Sequence, residues 1–217
     1  MELNFATLVL LFLRLSPFVL LCFFSISSIF NNDLKGIVYL VGLLLAAGVS
    51  LMAQGFVSPG ASLDKDAICD IVSIGSGMFS SIPLGQTILG FTFAYLVNSM
   101  LNTDMNNPNS SMLNTNWPTI VFFLALIFFD VVMNTNIFNS LKGTIGLPNT
   151  YCYTVKQTGV AYAIGSVIGL IWAKLIYQTN TPELLYFSKY KNNESCAKAS
   201  NKTFKCKVYK NGKLVSG

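Results

Sequence analysis

The sequence contains no histidine. That absence removes imidazole from every catalytic or metal-binding scheme, so ordinary zinc sites and histidine-based acid–base chemistry are excluded. Cysteine offers no replacement. There are five, Cys22, Cys69, Cys152, Cys196 and Cys206, and none forms a CxxC pair. Charge is scarce too. Only 11% of the 217 residues are charged and 53% are apolar, whereas a soluble domain carries about 25% charged residues. A small domain leaves much of its surface exposed, so this composition conflicts with a water-facing exterior. A lipid-facing exterior removes the conflict. The chain is therefore expected to be non-enzymatic, with no catalytic, metal or cofactor residues and no cofactor.

Long apolar runs are what the sequence has instead. A helix needs about 20 such residues to cross the hydrocarbon core. Five segments come close: Phe5–Phe30, interrupted by Arg14 and Pro17, then Gly36–Val57, Gly85–Leu101, Trp117–Met133 and Gly159–Tyr177. The first lacks a positive n-region and is too long for a signal-peptide core of about 7–15 residues, so it reads as a retained span. Ala67–Pro83 is apolar but rich in Gly and Ser and holds Asp70. It reads as an interfacial or re-entrant segment, because irregular backbone at membrane depth must be buried in protein. A sixth span through it is the alternative. The expected fold is all-α membrane: a bundle of about five transmembrane helices (1–178) and a basic aqueous tail (179–217) with a β-hairpin.

The positive charge sits almost entirely in that tail. Residues 183–217 hold eight Lys and two Glu, and the rest of the chain is near neutral. A basic tail beside a membrane span suits anionic headgroups or an acidic protein partner. It has no Arg and no nucleic-acid-binding module, so no nucleic acid is expected. Basic residues mark the cytosolic side, which predicts a cytosolic carboxyl terminus. Three glycosylation sequons, at Asn109, Asn193 and Asn201, fall on that same side and compete with this orientation. Residues 203–215 read as a hairpin, two alternating runs around Asn211-Gly212, a strong type I′ turn signal. Its Lys205, Lys207, Tyr209, Lys210 and Lys213 are the candidate tail-interaction residues. A lone hairpin is marginal in water, and Cys196 and Cys206 are the one pair near enough in sequence to suggest a disulfide.

Arg14 and Asp130 are the ionisable residues well inside expected spans. Such groups are costly in a bilayer, face the bundle and pair. Both fall toward the non-cytosolic half, so they form a candidate intramembrane charge pair. It would serve as a structural lock between helices or, in the sharper reading, as part of a proton or ion path. Gly165 and Gly169 form a GxxxG pattern expected to pack within the chain. Trp117, Trp172 and Tyr177 read as interface anchors.

Pro83-Leu84-Gly85-Gln86, followed by TILGFTFAYL, and the segment Thr154–Ala173 resemble two elements of the type-2 phosphatidic acid phosphatase superfamily. The resemblance implies a helical membrane fold. Gln86 stands where that family's loop has a histidine, and the Lys…Arg-Pro motif is missing, so the resemblance implies a scaffold without catalysis. More broadly, the composition, the SIPLGQT–GFTFAYL element and the terminal TFKCKVYKNGK hairpin resemble small polytopic membrane proteins of the nucleocytoplasmic large DNA viruses. This second resemblance implies a structural protein of the virion inner membrane, assembled in host endomembranes, whose tail bridges to capsid or other virion proteins. It also implies thiol oxidases able to form a Cys196–Cys206 bond in the cytosol. The competing expectations are a small channel or transporter using Arg14 and Asp130, and a catalytically dead, phosphatase-like lipid-binding protein.

Overall fold

The structure is a computed structural model, described here for residues 5–31, 33–57, 83–106, 112–139, 142–143, 152–179, 181, 184–187, 208–210 and 213–216. The chain forms α1 (Phe5–Asn31), α2 (Lys35–Val57), α3 (Leu84–Asn106), a single turn α4 (Met112–Thr115), α5 (Trp117–Asn134) and α6 (Val155–Gln178). Among the described residues, five helices are long and apolar enough to cross a membrane. This is the architecture of an integral membrane protein. Ala67–Ile82, where a re-entrant segment was expected, lies outside the described residues.

Contacts between helices give their directions. Tyr39 meets Thr92 while Ser50 meets Thr87, so α2 and α3 run antiparallel. Gly165 lies on Thr87 and Gly169 on Phe91, so α3 and α6 run parallel. The ends of α2 and α5 and the starts of α3 and α6 thus share the face on which α1 begins, called here the amino-terminal face. The opposite face is called the tail face.

α3 is the central helix, with 61% of its span window buried against 28–33% in the other four. The outer helices turn Phe, Leu and Ile outward, for example Phe12 at 57% and Leu44 at 71% exposure, as lipid contact requires. Apolar burial between helices gains little when the surrounding solvent is also apolar, so close backbone approach supplies the cohesion. The α3–α6 seam shows how. A Cβ on Gly165 would collide with the Thr87 carbonyl, and one on Gly169 with that of Phe91. A Cβ on Gly90 would lie 2.9 Å from the Tyr162 carbonyl oxygen. The GxxxG pattern is therefore spent inside the chain, as expected. Trp172 lies over Gly42 and its indole Nε1 donates to the Val38 carbonyl at 3.0 Å, tying α6 to α2.

α1 accommodates Pro17 without a break. Proline has no N–H for the carbonyl four residues back, which here is that of Leu13. The Ser16 hydroxyl donates to that oxygen at 2.8 Å instead. Side-chain substitution of this kind lets proline persist in a membrane helix.

The interior is mixed. Toward the tail face it holds an aromatic cluster, Phe24, Tyr39, Phe91 and Tyr95, with Phe91 stacked on Tyr95 at 6.0 Å and Thr92 and Ser99 also buried. Toward the amino-terminal face it is polar, with Ser16, Ser50, Gln86, Thr87, Asp130, Asn134, Gln157 and Thr158 buried. Beyond α6 the chain turns back onto the tail face. Leu185 is 1% exposed, the Tyr186 ring lies 4.8 Å from that of Phe24, and the Phe187 N–H donates to Ser99 Oγ at 3.4 Å. Residue 178 ends the last helix, but the packed body runs on through Phe187.

Candidate functional site: a buried polar centre around Asp130

Asp130 lies one turn before the end of α5 and is 3% exposed. Three helices aim donors at its carboxylate. Gln86 Nε2 of α3 and Tyr162 OH of α6 each donate to Oδ2 at 2.8 Å, and Asn134 Nδ2 of α5 donates to Oδ1 at 2.7 Å. The Asn134 donor follows from the i,i+4 stacking of an α-helix. Gln86 and Tyr162 arrive because α3 and α6 both begin on the amino-terminal face.

Arg14 of α1 supplies the positive charge that acts on this carboxylate. It does so without a direct hydrogen bond. Its guanidinium instead lies 5.4 Å from the Tyr153 ring centroid, a cation–π arrangement. Its Nε and Nη2 are buried and have no hydrogen-bond partner. The two intramembrane charges singled out in the sequence are thus brought into one centre, coupled through the field rather than as a hydrogen-bonded ion pair.

The loop after α5 closes the centre. A helix end leaves its last carbonyls unpaired, and here those of Met133 and Asn134 find donors from the loop. Lys142 Nζ donates to the Met133 and Thr135 carbonyls at 3.2 and 2.9 Å. The N–H groups of Cys152 and Tyr153 both donate to the Asn134 carbonyl at 3.2 Å. These bonds hold Tyr153 in place above Arg14. They also set a cation at the negative end of the α5 dipole. Burial strips Lys142 of water and pushes its ammonium below the ordinary lysine pKa. Thr154 then starts α6 with a capping box: its hydroxyl accepts the Gln157 N–H at 3.3 Å, and Gln157 Oε1 accepts the Thr154 N–H at 2.9 Å.

Cys152, buried on the same face, is disulfide-bonded, and Cys22 is free. The candidate pair Cys196 and Cys206 lies outside the described residues, as do Lys205 and Lys207. Tyr209, Lys210 and Lys213 are far along the chain from the Asp130 centre and belong with the tail.

Both oxygens of Asp130, the one buried carboxylate among the described residues, are engaged by neutral donors, and those donors come from different helices. Gln86, Tyr162, Asn134, Tyr153 and Lys142 were not foreseen as members of this centre. The spacing Asp130-x-x-x-Asn134 was a legible signal; the rest required the fold. The class of protein defined by fold and centre is a polytopic helical membrane bundle. No protein-family model, curated protein or solved structure matches the chain.

Proposed function

We propose that this is a non-enzymatic structural membrane protein that anchors a bilayer to a protein layer on its tail face. By the resemblance stated above, the setting is the inner membrane of a large DNA virus and the layer is its capsid shell. The observation that carries the reading is the saturation of Asp130 by donors from three helices. A carboxylate so engaged locks helices together, and a rigid bundle is what an anchor requires.

The tail supplies the reach. Its root is packed on the bundle through Leu185 and Tyr186, so the basic residues beyond Phe187 emanate from a fixed point. Support for a terminal hairpin comes from the antiparallel register Tyr209↔Leu214 and Lys210↔Lys213. A cytosolic tail is supported by the Lys asymmetry. The test is deletion of residues 188–217, which spares the packed root. Shell protein recovered with the membrane fraction of purified particles should fall. Undiminished recovery would refute the anchoring role.

The alternative, a small channel or carrier, is favoured by the unpartnered Nε and Nη2 of Arg14. Reconstituted chain would then give an ion flux abolished by Asp130→Asn, and absence of flux removes that reading.

A further inference from the structure

On the tail face, where α1 passes into α2, the outer surface of the hairpin is indented by a groove of about 440 Å³, within the ~300–1,000 Å³ range of small-ligand sites. Its apolar wall includes Ile29, Ile37 and Leu40, and its polar residues are Ser25, Ser28 and Asp33. Ile29 is 77% exposed and Ile37 54% exposed, on helices that face lipid, so the groove opens toward acyl chains at the membrane boundary.

The polar residues share one property. The Ser25 hydroxyl donates its hydrogen to the Leu21 carbonyl at 2.7 Å, and that of Ser28 donates to the Asp33 carbonyl. Both hydroxyls therefore present only lone pairs to the groove. The Asp33 carboxylate accepts no hydrogen bond from the described residues. The described polar side chains that line the groove thus offer acceptors and one negative charge. A ligand matching it must bring N–H donors and positive charge on an apolar body. Lys35, two residues on, begins α2 and carries the opposite charge.

We propose that this groove is a binding site for a phospholipid with a primary ammonium headgroup. The ammonium donates to the Asp33 carboxylate, the phosphodiester lies toward Lys35, and one acyl chain rests along Ile29, Ile37 and Leu40. A choline headgroup has the charge but no N–H, so the acceptor-lined groove discriminates against it.

The test uses the full-length chain in mild detergent, with lipid retention read by native mass spectrometry for phosphatidylethanolamine and phosphatidylcholine of identical acyl chains. The ethanolamine lipid should be retained roughly tenfold better, the worth of a charge-assisted hydrogen bond. Asp33→Asn should equalise the two lipids, and Ile37→Trp, which fills the chain seat, should lower retention of both. Equal retention by the unaltered chain, or a preference that survives Asp33→Asn, would overturn the proposal. An Asp33→Asn chain that failed to fold would also overturn it, by showing the carboxylate to be committed to structure.

Discussion

Replacing Asp130 by alanine removes the acceptor on which three donors converge. Two of those bonds cross between helices, from Gln86 and Tyr162, both at 2.8 Å. Interhelical hydrogen bonds in bilayers are worth about 0.6 kcal/mol each and up to ~1.7, so the pair contributes about 1–3 kcal/mol. The variant also strands Arg14 without its counter-charge. In a soluble interior that costs about 3–5 kcal/mol. Here the long side chain sits toward one face and can reach for the headgroups, which lowers the cost. A total near 3 kcal/mol is expected. The assay is unfolding in mixed micelles with rising SDS fraction, followed by Trp172 fluorescence, because that indole bridges α6 and α2. A double-mutant cycle of Asp130→Ala with Tyr162→Phe isolates one bond and should give a coupling of about 0.6–1.7 kcal/mol. Additivity of the two variants within about 0.3 kcal/mol would refute the claim that this bond joins α5 to α6.

Other outcomes follow from particular contacts. Gly165→Ala should destabilise by about 1–3 kcal/mol, since its Cβ meets the α3 backbone, whereas Gly48→Ala, with open space, should be neutral or stabilise by about 0.5–1 kcal/mol; both are read by the same titration. Leu185→Ala should cost about 2–5 kcal/mol and speed proteolysis after α6, because that side chain is 1% exposed although it follows the last helix. Lys142 carries a pH signature. Burial lowers its folded pKa below the unfolded value of 10.5, so the unfolded chain binds more protons in the window just below 10.5. Stability therefore rises with pH through that window, and the rise should be smaller in Lys142→Met, measured by thermal unfolding between neutral and alkaline pH.

The helices were legible because hydropathy alone determines which stretches can face lipid. Their ends were less so. α3 was expected to stop at Leu101 but runs to Asn106, since helix hydrogen bonding continues into polar residues once a span leaves the hydrocarbon core. α6 was expected from Gly159, yet it starts at Val155 because the Thr154–Gln157 capping box, not the apolar run, sets its beginning. Arg14 and Asp130 stood out because charge inside an apolar run is conspicuous. Their neutral partners did not. Gln86 and Tyr162 are ordinary residues until α3 and α6 are placed side by side, and pairing across 44 and 32 residues leaves no periodic trace. The root of the tail was passed over because Leu184–Phe187 is too short to register as a span, although its length suffices to seat Leu185 in the aromatic cluster.

The account rests on a bundle that crosses the membrane five times and so separates the tail from the loop after α5. Cysteines introduced singly at Thr115 and Asn136, in sealed vesicles holding the otherwise unaltered chain, test this directly with a membrane-impermeant thiol reagent. Labelling above the parent background should occur at only one of the two positions from outside, and at the other only after the vesicles are opened. Equal labelling of both positions from the same side of an intact membrane would contradict the fold and every function built on it.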